Sequence, residues 1–205
     1  MMATMEPEAG RLLEPLTVQD EQASARLHAR LAAAAAADGI LDVAYRTVDT
    51  PLGTLLLAAT EQGVVRVAYA SQGHDAALAQ LAELVSPRIL NAPGRLDGVT
   101  RQLDEYFAHR RRVFDVPLDL RLSKGFRRSV LAHLLEIPYG VTESYAQVAT
   151  AAGRPRAVRA VGTACATNPV PIVVPCHRVV RSDGSFGGYA GGPDAKRSLL
   201  TLETA

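Results

Sequence analysis

One thiol stands where reactive chemistry is expected. Cys176 follows Pro175 at the end of an apolar run, and two basic residues, His177 and Arg178, come directly after it. The thiolate is the nucleophilic form of cysteine, and cationic neighbours lower the thiol pKa from about 8.5, which raises the thiolate fraction. A structural thiol would be expected to have apolar neighbours on both sides. The flanking residues therefore favour a reactive Cys176 with a lowered pKa.

The other cysteine, Cys165, lies in a segment with helical spacing. Val158, Val161 and Cys165 share one face of that helix, which we expect to point into the core. Cys165 is therefore interpreted as structural.

The opposite face of the same helix carries one cation among small residues: Arg159, Gly162, Thr163 and Ala166. Small side chains permit close approach to a nucleic-acid groove, and the cation Arg159 would enter the groove first. The alternative is a helix that packs against a neighbouring element through its small residues.

Charge is divided unevenly along the chain. The 205 residues are 48% hydrophobic and have a formal net charge of +1. Residues 121–205 hold 11 Lys and Arg against 5 Asp and Glu, whereas residues 1–120 hold 11 against 16. The excess of cations in the C-terminal part is typical of a part that meets a polyanion, although a solvated basic face would give the same balance.

The sequence gives no sign of membrane insertion or secretion. No apolar run approaches the roughly 20 residues that span a bilayer, and residues 1–10 lack the basic and apolar regions of a signal peptide. Two cysteines cannot build a disulfide framework. We therefore expect a cytoplasmic protein with no membrane partner.

Residues 1–40 are interpreted as an N-terminal extension. Residues 1–16 show no clear period and are expected to be a mobile arm. Thr17 is placed to cap a helix that runs through the alanine-rich segment 32–37, and Gly39 is placed to stop it.

Residues 41–119 are predicted to form an α/β N-terminal domain. The spacing of apolar and turn residues predicts three short strands and two helices, at 43–48, 54–59, 64–70, 75–84 and 96–107. The closely spaced turns indicate an antiparallel meander with the helices packed on it. Residues 113–118 are expected to form an edge strand, because Pro117 cannot donate a ladder hydrogen bond.

Residues 120–205 are predicted to form a mainly helical, winged-helix-like domain. Helical spacing recurs at 126–135, 145–152, 157–167 and 193–202. The Gly-containing joint at 153–156 outlines a helix-turn-helix. Glu203 follows the last helix, where a carboxylate is unfavourable by about 0.3–1 kcal/mol at exposed sites. Either another group offsets that cost, or Glu203 is a solvated charge close to the chain end.

The segments around the thiol closely resemble a known family. Pro175-Cys176-His177-Arg178-Val179, preceded by Asn-Pro-Val-Pro at 168–171 and Arg-Ala-Val-Gly at 159–162, resembles the 6-O-alkylguanine-DNA alkyltransferases, also called methylated-DNA-protein-cysteine methyltransferases. The resemblance is strong over 124–205, whereas 41–118 are only compatible with the variable N-terminal domain of that family.

The resemblance implies direct repair of alkylated bases in duplex DNA. A cysteine thiolate takes the alkyl group from the 6-oxygen of guanine and keeps it as a thioether, with 4-O-methylthymine as a further candidate substrate. No cofactor and no metal are required. By motif, Cys176 resembles the nucleophile and acceptor, His177 the residue that activates it through a water, and Glu203 the group that orients the histidine. Asn168 is implied to shape the turn near the active site.

The resemblance also implies a set of DNA contacts. The 6-oxygen lies at the base-paired edge of guanine, so the nucleotide must leave the stack before the thiol can attack in line. Arg159 is implied to fill the vacated stack from the minor groove, and Tyr145 to assist rotation at the neighbouring phosphate. Gly162 and Arg127 are assigned to DNA binding.

Two residues are assigned to the substrate pocket, Tyr189 and Val179. Tyr189, in the Gly-rich segment 187–192, is implied to donate a hydrogen bond to the departing base. One departure from the family pattern lies beside it, because Ala190 occupies a position that is often Ser and so alters pocket hydrogen bonding.

Three functions of different classes are compatible with these residues. The first is the self-inactivating alkyltransferase, expected as a monomer because each molecule needs only its own thiol. The second is a non-catalytic helix-turn-helix protein that binds DNA or lesions, which the presence of Cys176 disfavours. The third is a cysteine hydrolase, which is disfavoured because the sequence shows no oxyanion motif.

Overall fold

A computed structural model of the chain describes residues 7–204, and the surroundings of side chains from residue 22 to residue 204. The helices are α1 (Pro7–Ala37), α2 (His74–Leu84), α3 (Asp97–Phe107), α4 (Phe126–Leu134), α5 (Tyr145–Ala151), α6 (Val158–Ala166) and α7 (Gly192–Thr204). The strands are β1 (Val43–Thr50), β2 (Gly53–Thr60), β3 (Gly63–Tyr69), β4 (Ile89–Asn91), β5 (Glu143–Ser144) and β6 (Val179–Val180). Within residues 7–204, no helix is long and apolar enough to cross a membrane.

The first half is organised around a four-stranded sheet with the order β3-β2-β1-β4. The antiparallel pairs β1–β2 and β2–β3 confirm the predicted meander. The structure adds β4, which pairs in parallel with β1 through three residues and was not predicted. Such a short strand has too few residues to show an apolar alternation in the sequence.

The predicted edge strand at 113–118 is wrong. Only one bridge forms, in which the Val64 N–H donates to Pro117 O at 2.9 Å and the Asp119 N–H donates to Val64 O at 2.9 Å. Proline has no N–H with which to extend the ladder. Gly63 is required at this contact, because a Cβ there would overlap the Pro117 carbonyl.

Helix α1 begins earlier than predicted. The structure has residues 7–16 in the helix, so the mobile arm expected there and the cap at Thr17 are both wrong; residues 1–6 lie outside the described residues. The predicted stop before Gly39 is confirmed, and the helix ends at Ala37.

The predicted helices of the second half are present, and α5 and α6 form the predicted helix-turn-helix pair. A capping box starts α5: the Gln147 N–H donates to Ser144 Oγ at 3.2 Å, and the Ser144 N–H donates to Gln147 Oε1 at 2.7 Å. A short parallel pair, β5–β6, ties the start of α5 to the segment after Cys176.

One hydrophobic core runs from the sheet into the C-terminal helices. Leu55 of β2 and Leu103 of α3 belong to the same buried cluster as Leu134 of α4 and Val161 of α6. The sheet and α3 therefore form a packed support for the segment that carries Cys176.

The core-facing side of α6 differs from the prediction at one residue. Val161 and Cys165 are buried as expected, together with Ala164, but Val158 is 38% exposed. Val158 is the first residue of the helix and extends beyond the core. The expected inward orientation of Val158 is therefore wrong.

Candidate functional site

Cys176 lies on a buried 3₁₀ turn, Cys176–Arg178, and is 1% exposed. Asn168 fixes this turn, because its Nδ2 donates to Val174 O at 2.9 Å and to Cys176 Sγ at 3.1 Å. The Oδ1 of the same side chain accepts from the Val170 N–H at 3.0 Å. A single amide thus holds both the preceding loop and the sulfur.

The loop before Cys176 contains an uncommon backbone conformation. Ile172 has a φ of +74°, in the left-handed region that β-branched residues rarely adopt. Such a conformation costs on the order of 1–3 kcal/mol and persists only where the surroundings fix it. The buried Ile172 side chain and the Asn168 hydrogen bonds supply that constraint.

The thiol of Cys176 is more basic than the sequence suggested. Burial raises its pKa to about 11, and the hydrogen bond from Asn168 and the charge of Lys196 only partly oppose that rise. The expectation that His177 and Arg178 lower this pKa is wrong, because both side chains are directed to Glu203 instead. At rest the thiol is therefore protonated, and reaction requires a base to remove the proton.

Lys196 is the cation that lies near the thiol. Its side chain on α7 is fully buried, and Nζ donates to Val179 O at 2.6 Å. Burial lowers the pKa of Lys196, whereas the thiols of Cys176 and Cys165 raise it. Sequence reasoning missed this residue, although Lys196, Leu199 and Glu203 recur at helical spacing on the buried face of α7.

Glu203 accepts hydrogen bonds from the basic groups behind the thiol. It is 5% exposed and accepts hydrogen bonds from His177 Nε2 at 2.9 Å, from Arg178 Nε at 2.9 Å and Nη2 at 2.8 Å, and from the Gly140 N–H at 3.2 Å. Burial alone would raise the pKa of Glu203, but the hydrogen bonds from His177 and Arg178 outweigh it and lower the pKa to about 2. These donors offset the cost of a carboxylate at a helix C-terminus.

The carboxylate also receives a donor from the first half of the chain. The hydroxyl of Tyr106, at the end of α3, donates to Glu203 Oε1 at 2.7 Å, and Tyr106 is fully buried. Burial and the adjacent Glu203 charge raise the pKa of Tyr106, so its hydroxyl keeps its proton. Sequence reasoning missed Tyr106, because no local pattern links residues 97 positions apart.

The hydrogen bond to Glu203 determines the tautomer of His177. Burial lowers the pKa of His177, and a carboxylate of low pKa can only accept, so Nε2 carries the hydrogen and Nδ1 carries the lone pair. The buried Nδ1 has no hydrogen-bond partner within residues 22–204. His177 therefore presents a free basic nitrogen, held in place by Glu203.

Three tyrosines surround this centre. The Tyr189 ring lies 6.3 Å from the His177 ring, and the Tyr189 hydroxyl lies 3.0 Å from the hydroxyl of Tyr69, at the end of β3. Burial raises the pKa of Tyr189 well above its usual value. Burial, and the nearby thiols of Cys165 and Cys176, raise the pKa of Tyr145 to about 12. All three hydroxyls are therefore protonated donors at neutral pH.

The structure divides the predicted site residues into two groups. Cys176, His177, Asn168, Glu203, Tyr145, Tyr189 and Val179 lie together in the centre just described. Arg159 and Gly162 lie on the outward side of α6, where Arg159 is exposed and Gly162 is half-buried. Arg127 lies on α4, and its Nη2 donates to Thr167 O at 3.2 Å, next to the C-terminal end of α6.

Comparisons with protein families match both halves of the chain. Residues 43–120 match the 6-O-methylguanine DNA methyltransferase, ribonuclease-like domain, and residues 125–205 match the 6-O-methylguanine DNA methyltransferase, DNA binding domain. Helix α1 lies outside both matches.

Individual relatives and solved structures agree with these matches. The methylated-DNA–protein-cysteine methyltransferase of Mycolicibacterium paratuberculosis is 42% identical over 161 residues, covering 78% of this chain and 92% of the relative. The crystal structure of the Mycobacterium tuberculosis O6-methylguanine methyltransferase is 41% identical, has a TM-score of 0.70, and matches 79% of this chain and 93% of its own. Mycobacterium tuberculosis OGT in complex with DNA is 40% identical with a TM-score of 0.67, over 78% of this chain and 92% of its own.

Proposed function

This chain belongs to the 6-O-methylguanine DNA methyltransferase family, and from that membership we propose which of its residues carry the reaction. The chain is a DNA repair protein that transfers an alkyl group from 6-O-alkylguanine in duplex DNA to a cysteine of its own, irreversibly and once per molecule. We assign that cysteine to Cys176. The observation that carries the assignment is the buried sulfur held by Asn168, beside a histidine whose free nitrogen is oriented by Glu203.

The first chemical step is removal of the thiol proton. Because the pKa of Cys176 is about 11, little thiolate is present at neutral pH. His177 Nδ1 takes the proton through an intervening water, and Glu203 stabilises the imidazolium that results. Lys196 and the Asn168 amide favour the negative charge on sulfur. The two effects together supply the thiolate at the moment of attack.

The second step is displacement at the alkyl carbon. A carbon–sulfur bond forms as the carbon–oxygen bond breaks, and the electron pair of the broken bond goes to the guanine. The guanine takes up one proton to replace the one that the thiol lost, so the products are a thioether and neutral guanine. The Tyr189 hydroxyl is protonated and its ring lies 6.3 Å from the His177 ring, so we assign to it the hydrogen bond that is donated to the departing base. Because a thiolate is a poor leaving group from a thioether carbon, the thiol is not regenerated and the protein is used once.

DNA is the partner of this chain, and we assign its contact surface to the outward side of α6 with Arg127 and Tyr145. In our proposal the alkylated base leaves the stack and enters the pocket beside Tyr189 and Val179, while Arg159 occupies the vacated space. The exposed Arg159 forms no ion pair within the described residues 22–204, so its charge is available to DNA. We further propose that the protein acts as a cytoplasmic monomer.

Peptide mapping by mass spectrometry tests the assignment of Cys176. The protein is incubated with a duplex that contains one 6-O-methylguanine, and we expect the mass of one methyl group on Cys176 alone. Cys176→Ala should abolish the adduct while retaining DNA binding. The matched control is Cys165→Ser, since Cys165 is equally buried but has no side-chain hydrogen bond within residues 22–204. An adduct on Cys165, or full transfer by Cys176→Ala, would overturn the assignment.

The role of Arg159 is tested by comparing two substrates. Arg159→Ala should slow transfer from saturating duplex far more than transfer from free 6-O-methylguanine, because only the duplex must be unstacked, at a cost of a few kcal/mol. An arginine that contacts only phosphate would instead weaken DNA binding and leave the rate at saturation unchanged. Equal slowing on both substrates would contradict extrusion and indicate damage around Cys176.

A further inference from the structure

A cavity of about 320 Å³ lies where the first half of the chain meets the C-terminal end of α6. Residues from β3, from the turn after it, from α2 and from α4 form its walls. Its polar lining residues are Arg66, Gln72, Gln80, Arg127, Thr167 and Asn168. Among residues 22–204, no acidic residue lines this cavity. We call it the Arg66–Arg127 cavity.

Arg66 is a half-buried cation without a counter-ion. Within residues 22–204 it forms no ion pair, whereas Arg46, Arg88, Arg111, Arg121, Arg178 and Arg197 each pair with a carboxylate. Burial lowers the pKa of Arg66, and no acidic neighbour among residues 22–204 opposes that effect. The Nε atoms of Arg66 and Arg127 are both shielded from solvent and lack a hydrogen-bond partner in the described part of the chain. Removing charged donors from water is costly unless an anion pairs with them.

The other hydrogen-bond donors around the cavity are also suited to an anion. Gln72 Oε1 accepts from the Tyr69 N–H at 3.0 Å, so the acceptor of that amide is occupied and its NH₂ group remains to donate. Two guanidinium groups with added amide donors form a set that binds phosphate oxygens, because guanidinium geometry permits paired hydrogen bonds.

The cavity is continuous with the surface that we assign to DNA. Arg127 belongs to both, and Ala166, on the outward side of α6, also lines the cavity and is exposed. We propose that the Arg66–Arg127 cavity is a phosphate-binding site, with Arg66 and Arg127 as its cationic ligands. The phosphate comes from the DNA backbone or from a free phosphate anion. If the phosphate belongs to the DNA backbone, the sheet half of the chain contacts DNA directly, and this case rests on the proposed function.

The test uses the full chain and one substitution, Arg66→Gln, which removes the charge and keeps a side chain of similar reach. The matched control is Arg101→Gln, an exposed cation on α3. Two measurements are made: the dependence of undamaged-duplex affinity on salt concentration, and the melting temperature in inorganic phosphate against chloride at equal ionic strength. In the melting-temperature measurement Arg127→Gln carries the same expectation as Arg66→Gln, which keeps that test valid if one variant fails to fold; its salt slope is not compared, because Arg127 already belongs to the proposed DNA surface.

Each source of phosphate predicts a different result. If the DNA backbone is the source, Arg66→Gln makes the fall of log affinity with log salt concentration less steep by about 0.9, and Arg101→Gln leaves that slope unchanged. If free phosphate is the source, wild type, Arg66→Gln and Arg101→Gln have the same salt slope. Phosphate then raises the melting temperature of wild type and Arg101→Gln but not of Arg66→Gln. The proposal would be overturned by equal salt slopes together with either no effect of phosphate on the melting temperature or a phosphate effect that Arg66→Gln retains. Methyl transfer from free base to Cys176 reports separately on the proposed function.

Discussion

Replacing Glu203 with Gln tests whether this carboxylate is the counter-ion that holds the centre together. The substitution keeps the shape of the side chain but removes the negative charge that pairs with Arg178 at 2.8 Å. Arg178 is only 6% exposed, so its guanidinium would remain buried without a counter-ion. Removing one partner of a buried pair costs about 3–5 kcal/mol. At roughly 2–4 °C per kcal/mol for a chain of this size, we expect the melting temperature to fall by about 6–20 °C.

The measurement is thermal and urea unfolding of Glu203→Gln beside wild type at neutral pH. The control is Asp194→Asn on the same helix, an exposed acid whose pairing with Arg197 is open to solvent, so its removal should change stability by less than about 0.5 kcal/mol. A loss of melting temperature no larger for Glu203→Gln than for Asp194→Asn would refute the reasoning. In that case Arg178 would be stabilised without the carboxylate, by the hydrogen bond that its Nη1 donates to Ile137 O at 2.6 Å.

Acid adds a second, independent check of the same pair. The pKa of Glu203 is lowered from 4.5 to about 2 on folding, so the stability that this group contributes is present above pH 4.5 and is lost as the pH falls towards 2. Wild type and Glu203→Gln should therefore differ most near neutral pH and converge in acid. A constant difference between them from pH 7 to pH 3 would contradict the assigned shift.

Three further changes test the surroundings of the thiol. Tyr106→Phe removes a hydrogen bond to a charged acceptor, so we expect a loss of about 1.5–3 kcal/mol in urea unfolding; unchanged stability would contradict that role. Lys196→Met removes the buried cation, so the thiol pKa of Cys176 should rise above about 11 and the rate of transfer from free base should shift to higher pH. An unshifted pH–rate profile would show that the amine does not act on the sulfur. Gly187→Ala places a Cβ against the Tyr145 hydroxyl, so transfer from duplex should slow, and a wild-type rate would show that Tyr145 can move freely.

Several elements could be predicted from the sequence because their signals are local. The apolar alternation and turn residues defined β1, β2 and β3, and helical spacing defined α2 to α7 within a few residues. The motif around Cys176 pointed to the family that the comparisons support. Pro117 and Val158 show where such signals fail: apolar residues formed no strand at 113–118, and Val158 is exposed at a helix start.

The electrostatics of the centre depended on contacts between distant segments. The sequence predicts that His177 and Arg178 lower the thiol pKa, because they are adjacent to Cys176 along the chain. In the fold, both side chains turn to Glu203, burial raises the thiol pKa to about 11, and Lys196 is the nearby cation. A pKa depends on distance and burial in space, which chain adjacency does not determine.

The sequence by itself determined the segment that carries the proposed nucleophile and its histidine, because both belong to one short run, Cys176–Arg178. Only the tertiary structure placed Tyr106 of α3 on Glu203 of α7 and Tyr69 of β3 on Tyr189. These contacts join side chains that are 97 and 120 positions apart. They exist because the buried face of the sheet and α3 packs against the C-terminal helices, and no local pattern in the sequence records which side chains meet across such an interface.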